Sequence, residues 1–527
     1  MSSEQQNFAS VFSASDSFNP DTQIEKKLQQ RQENFTGEQV LDQFKESSIA
    51  SDLSLRNQER NALFKNKRIR ARIDLNTTQS LKTKLNIPME LFEACNAMTI
   101  TPNQLNEMVE LFNSQNIQEK YKGLVGLRKL LTLNTDAPTQ EIIDLSLVGK
   151  FVELLSSNYP EFQYEALWCL TNVAAGTADQ VNSIINKGGI AKMIELTSSN
   201  IEEVQNQAVW TLGNLAGDSQ KPRDLIIELG GYKKIISIYA STECPNLLKQ
   251  TTWTISNFFR VQPLIDSDLI QIAIDPVIRA IFKLNTDPDF MNDACWILSF
   301  ITEHFKKMIA KILESNVLPT VFKSLNHPST FLQLSILRII GNIASGNANQ
   351  TQKIVDYGIL DYLKQTIHHE KKSIRKETAW ILSNIASGTQ RQIEMLILND
   401  FLPILINTFQ KDLPEIQKEA IWAICNFTSI EKPELIEIII RQNIIQIICD
   451  CLKWEDAKYL AVSLEAFGNL LAYGKKRANG GENEVALMAE RLGIFDRLEK
   501  LQLHPVEIVY EKVLKLLETY FDVENVA

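Results

Sequence analysis

Long apolar runs are missing from this 527-residue chain; even Ile438–Cys451 is broken by Arg441, Gln442 and Asp450, short of the ~18 residues a membrane span needs. Cysteine is sparse: seven lie scattered, with no CxxC pair and no His/Cys cluster. That excludes a disulfide framework and a zinc site, and fits free thiols in a reducing compartment. There are only five histidines and no glycine-rich phosphate loop, and His368-His369 reads as a solvated helix end. An enzyme is therefore not expected, nor a catalytic residue, a metal or any other cofactor. The N-terminal MSSEQQNFASVFSASDS lacks the basic start and apolar core of a secretion signal. Positive charge is in deficit too: the net charge of −10 argues against general nucleic-acid binding and suits a basic ligand.

The charge is unevenly placed. From Arg56 to Arg72 stand Arg56, Arg60, Lys65, Lys67, Arg68, Arg70 and Arg72 against the single acid Glu59, so this segment is +6 and the remainder −16. A short basic arm on an acidic body reads either as a solvated tail or as a ligand for a partner or for its own body. Residues 1–50 are rich in Gln, Ser and Asn and read as mostly disordered. The sequence divides into a basic N-terminal segment 1–72, a linker 73–87, a helical body 88–521 and a tail 522–527. In the body, amphipathic stretches of 10–15 residues alternate with Gly, Pro, Asn and Asp, without strand alternation, which predicts an all-α fold.

What the chain does have is a beat. Trp168, Trp210, Trp253, Trp296, Trp380 and Trp422 are separated by 42, 43, 43, 84 and 42 residues, and Arg338 stands at the skipped rung. Four residues after each comes Asn172, Asn214, Asn257, Phe300, Asn342, Asn384 or Asn426. Gly188-Gly189 recurs as Gly230-Gly231, and Pro319 as Pro403. A period near 42 with three short helices per unit signals armadillo-type repeats, here about ten of them in a superhelical solenoid.

Trp at i and Asn at i+4 share a helix face, while Leu167, Leu170 and Val173 occupy other sides and supply core contacts. A core of repeated tryptophans is one reading. Against it, an Asn repeated at one core position buries an amide that needs partners, and Arg338 suits no dry core. An exposed face makes a reader of extended peptides. Stacked helices ~8–10 Å apart meet roughly three ligand residues each. Asn pairs with peptide N–H and C=O, and neighbouring indoles form slots for Lys or Arg stems. Asp218, Asp293, Glu377 and Glu419, one or two turns from the rungs, supply carboxylates at the slot ends. Phe300 and Arg338 interrupt the ladder, which predicts two binding stretches around a weaker centre.

These residues resemble importin-α (karyopherin-α), the adaptor family for proteins with basic nuclear localisation signals. The likeness is carried by ALWCLTNVAAGT (166–177), AVWTLGNLAGD (208–218), TTWTISNFFR (251–260), ACWILSF (294–300), ILRIIGNIASG (336–346), TAWILSNIASG (378–388) and AIWAICNFTS (420–429). It implies a major signal site of Trp168, Asn172, Gly176, Gln207, Trp210, Asn214, Asp218, Trp253, Asn257, Asp293 and Trp296. It implies a minor site of Arg338, Asn342, Glu377, Trp380, Asn384, Glu419, Trp422 and Asn426. Val181 and Gln250 depart from the family's usual Thr and Asn.

LSLRNQER (53–60) and KNKRIR (65–70) are similar to the family's importin-β-binding segment, although its upstream arginine run is replaced by FKESSIASD (44–52). The resemblance implies binding to importin-β through 53–72 and self-occupancy of the groove by Arg56, Arg60, Lys65, Lys67, Arg68 and Arg70. The C-terminal 493–521 resembles the repeat that meets the export receptor of the cellular apoptosis susceptibility type. The implied setting is shuttling between cytoplasm and nucleus, with no membrane and no direct nucleic acid. The alternative is an armadillo scaffold for non-import partners; such grooves favour acidic or mixed ligands, which the acidic body opposes.

Overall fold

Turn chemistry divides the chain before packing does. A computed structural model describes residues 79–133 and 137–521; the basic segment 56–72 and the tail 522–527 lie outside the described residues. Where two short helices of a unit meet, one residue is left-handed: Gly188 (φ 70°), Gly230 (φ 77°) and Gly358 (φ 81°). Asn316, Asp400 and Asn443 hold the equivalent corners in other units at φ 57–58°, as expected of side chains that tolerate this region. Between 230 and 316 the corner is lost, and a single helix, Ser267–Leu284, runs through with Pro276 inside it. Helix starts repeat as well: Thr177 with Gln180, Asn347 with Gln350 and Thr389 with Gln392 form reciprocal capping boxes.

Ten long helices recur, labelled in chain order: α1 (Ile117–Leu131), α2 (Pro160–Ala174), α3 (Glu202–Ala216), α4 (Pro245–Arg260), α5 (Pro288–His304), α6 (Thr330–Ala344), α7 (Lys372–Ala386), α8 (Pro414–Phe427), α9 (Ala457–Ala478) and α10 (Glu507–Tyr520). Each packs against the one before and the one after. Among the described residues there is no strand. The result is the all-α armadillo solenoid that the period predicts. In α2, Leu167, Leu170 and Val173 are fully buried, each worth about 1.5–3 kcal/mol as apolar burial. One continuous apolar cluster extends from Leu81 to Phe521, as a stack of units that cannot fold singly requires.

Contacts with the solenoid begin earlier than Pro88. Within the stretch read as linker, helix Gln79–Lys82 packs on α3 and buries Leu81 completely. The backbone N–H of Asn86 then donates to Glu161 Oε1 at 3.0 Å. The chain thus crosses α3 and α2 before helix Met89–Ala97 packs on α1.

Close stacking of the long helices depends on two glycines. A Cβ on Gly213 would lie 2.5 Å from Trp253 Cζ3, and one on Gly341 would lie 2.0 Å from Trp380 Cζ3. Gly341→Ala is expected to destabilise by about 1–3 kcal/mol through overpacking and to shift tryptophan emission, as read by a denaturant titration followed by fluorescence. Burial also quiets the thiols. It pushes Cys425 up to about 12 and Cys449 up to about 11, and only Cys244 of the seven is not buried. A thiol-reactive dye should label about one cysteine in the native chain and all seven in denaturant.

Candidate functional site

The asparagines are where the first expectation needs correcting. Asn172, Asn214, Asn257 and Asn342 are buried rather than exposed, yet the amide N–H₂ group of each donates across to the preceding unit. Nδ2 of Asn214 donates to the Thr171 carbonyl at 3.1 Å, that of Asn257 to Gly213 at 3.0 Å, that of Asn342 to Ser299 at 3.1 Å and that of Asn426 to Ser383 at 3.3 Å. Asn172 reaches Thr132 Oγ1 at 3.4 Å. The amide N–H₂ thereby staples one ladder helix to the next. The repeated Asn is structural as well as a candidate peptide contact, and the partners lie about one unit away in sequence.

The rings are likewise more enclosed than an open ladder implies. Trp168, Trp253, Trp296 and Trp380 are buried, whereas Trp210 and Trp422 are half-buried. Between the first three rungs lies a groove of about 320 Å³ lined by Trp168, Trp210 and Trp253 together with Gln207, Gln250 and Asp293. Several side-chain atoms on or beside this wall have no partner within the chain: the indole N–H groups of Trp210 and Trp253, Gln250 Nε2, Asn206 Oδ1 and Asn172 Oδ1. Buried polar groups of this kind cost free energy until a ligand or solvent pairs them. Gln207 is occupied, its Nε2 donating to Thr171 Oγ1 at 2.7 Å.

Asn172, Gly176, Asn214, Asp218, Asn257 and Trp296, all expected in the first stretch, do not line the groove. Asp218 lies just beyond the end of α3, where Ser219 Oγ donates to its Oδ2 at 2.8 Å. Gly176 has a packing reason of its own. A Cβ there would sit 1.9 Å from Oε1 of the capping Gln180, and Gly346 and Gly388 stand in the same relation to Gln350 and Gln392.

The chain's own arginines touch the ladder, which sequence reading missed. Arg260 lies over Trp296 with Cζ 4.6 Å from the ring centroid, and its Nη2 is 3.9 Å from Asp293. Asp293 is thus already engaged by a cation of the chain. Arg338 Nε meets Glu377 Oε1 at 2.9 Å, so two members of the second stretch pair with each other. Arg128 stacks on Trp168 and binds Glu165. One signal was available: Glu165 stands three residues before Trp168, as Asp293, Glu377 and Glu419 stand before Trp296, Trp380 and Trp422.

At the interrupted centre, Phe300 packs 5.3 Å from Phe259 and 5.5 Å from Trp296, an aromatic fill where Asn172, Asn214, Asn257, Asn342 and Asn426 staple by amide. In the second stretch Asn384 Nδ2 has no partner within the chain, and Trp422 meets the edge of Tyr459 at 6.0 Å. Glu419 lies on α8, half-buried. The basic residues Arg56, Arg60, Lys65, Lys67, Arg68 and Arg70 lie outside the described residues. Among the described residues no cluster of His, Cys, Asp and Glu could hold a metal ion, and no helix is long and apolar enough to cross a membrane.

Comparison with known proteins agrees with this architecture. Residues 135–175, 177–217 and 347–387 match the Armadillo/beta-catenin-like repeat, and residues 483–527 match an atypical Arm repeat. The crystal structure of an engineered protein shares the fold, with a TM-score of 0.65 at 24% identity over 79% of this chain and 98% of that one. Importin subunit alpha-B of Dictyostelium discoideum is 45% identical over 426 residues, 80% of this chain and 82% of its own. Importin subunit alpha-3 of Arabidopsis thaliana is 36% identical, covering 76% of each. Importin subunit alpha-1b of Oryza sativa subsp. japonica is 34% identical, covering 79% of each. With a tryptophan–asparagine ladder on stacked armadillo units and relatives matched over most of their length, the chain belongs to the importin-α family of non-enzymatic nuclear import adaptors.

Proposed function

We propose that this adaptor binds Lys/Arg-rich nuclear localisation signals as extended segments along the tryptophan ladder and links them to importin-β. The observation that carries the reading is the groove between Trp168, Trp210 and Trp253, whose wall holds unpaired indole and amide groups beside carboxylates. Unpaired donors suit peptide carbonyls; aromatic walls and acids suit the stem and head of a lysine. A second segment lies against Trp380 and Trp422, with Asn384 and Asn426 holding its backbone and Glu419 its cation. One ligand with two basic clusters then engages both stretches, at an avidity beyond either cluster alone.

The basic arm plays the competitor. Leu81 is pinned on α3, and the seven residues from Arg72 to Gln79 reach at most ~25 Å. Arg56–Arg72 is therefore tethered at an effective concentration on the order of mM beside an acidic body, 88–521, of net charge −10. Importin-β draws the arm away through 53–72 and frees the groove for cargo. The C-terminal repeats meet the export receptor, and the protein shuttles between cytoplasm and nucleus.

Calorimetric titration of a Lys-rich peptide into the full chain should give binding that weakens steeply with salt, and salt-insensitive or absent binding would sink the groove reading. Asp218→Lys should cost a single-cluster peptide roughly tenfold or more, about 1.4 kcal/mol; an unchanged dissociation constant would show the acid to be misassigned. Deleting residues 1–72 should tighten weak signals and abolish capture by importin-β. If neither changes, the arm has no part in either.

A further inference from the structure

Trp168 differs from the other walls of the groove in having a cation of its own. Arg128, on α1, sets Cζ 4.3 Å from the centroid of the Trp168 ring. Its Nε donates to Glu165 Oε2 at 2.7 Å, and the two side chains are 0% and 1% exposed. Nη2 donates to Asn96 Oδ1 at 2.9 Å. Burial opposes the guanidinium charge, but the adjoining carboxylate outweighs it, so Arg128 stays protonated. Trp210 and Trp253 carry Gln207 and Gln250 in the place that Glu165 holds before Trp168. Among the described residues neither of these two rings meets a cation of the chain.

We propose that Arg128 is a positioning residue that sets how strongly lysine is read at the first rung. The two faces of an indole share one quadrupole, so a guanidinium already held on one face weakens attraction for a second cation on the other. A ligand lysine between Trp168 and Trp210 gains full attraction from one wall only. A lysine between Trp210 and Trp253 gains it from both. Glu165, at the position from which Glu419 serves a ligand in the second stretch, is spent on Arg128 instead. Lysine preference is therefore graded along the first stretch and fades at Trp168. This inference rests on the groove reading.

The test is a peptide scan against the full chain in which each lysine is replaced singly by norleucine, an uncharged near-isostere. Trp168→Ala locates the position seated on the first rung as the one whose lysine loses its advantage. In the unaltered chain that position should lose about threefold on replacement, against about tenfold at the position between Trp210 and Trp253. The paired exchange R128M/E165M, which replaces a buried ion pair with apolar side chains that folding tolerates, should raise the first loss to about tenfold. Glu165→Gln, which strips the guanidinium of its counter-charge, should shrink it towards none. Opposite signs at one ring cannot come from general loosening of the fold, and a thermal melt of each variant checks that it is folded. If Glu165→Gln unfolds, the paired exchange decides alone. Unchanged losses, or a parallel shift at every position, would overturn the proposal. An unaltered chain with no lysine preference anywhere would overturn the groove reading and this inference with it.

Discussion

An amide from the long helix, placed in four units on a backbone carbonyl of the helix before, is the contact on which the rest of the ladder depends. Asn214 on Thr171, Asn257 on Gly213, Asn342 on Ser299 and Asn426 on Ser383 fix both the spacing and the rotation of successive helices. A hydrogen bond between buried groups contributes only about 0.5–1.5 kcal/mol net. Its geometric consequence is larger, because a register slip leaves both the donor and the carbonyl unpaired in a dry place. With register fixed, the ring four residues earlier falls on the same helix face as the Asn, and Gly213 and Gly341 let the Trp253 and Trp380 rings lie against the preceding helix. Order of this kind pre-organises a peptide groove, so that little entropy is lost when a ligand is seated.

The same rigidity carries a cost that the chain meets with its own charges. Acids three residues before Trp168, Trp296 and Trp380 meet Arg128, Arg260 and Arg338 of the preceding unit. Unpaired carboxylates so deep would be expensive, and pairing them satisfies the charge without closing the groove. The pairs differ in depth. Arg128–Glu165 is sealed, while Arg260–Asp293 is longer and partly exposed. Half-buried Trp210 stands at the rung with Gln207 in this place, inside the groove. The distribution of internal cations thus divides a periodic ladder into rungs with different appetites for lysine.

The sequence by itself determined the fold class, the unit length, the face on which tryptophan and asparagine lie, and the family. Each follows from residues close in the chain or from one environment sampled many times at a fixed interval. Leu167, Leu170 and Val173 could be assigned to the core, and Gly188 and Gly230 to corners, because helical and turn geometry are local. The tertiary structure alone decided that Asn214 and Asn257 are buried and stapled, since the carbonyls they meet are 43 and 44 residues away. It alone decided that Leu81 is anchored before the repeats begin, that Gly176 makes room for Gln180, and that Asp293 and Glu377 are met by Arg260 and Arg338. Whether an acid beside a tryptophan faces a ligand or a neighbour is a question of packing between units, and no pattern within one unit encodes the answer.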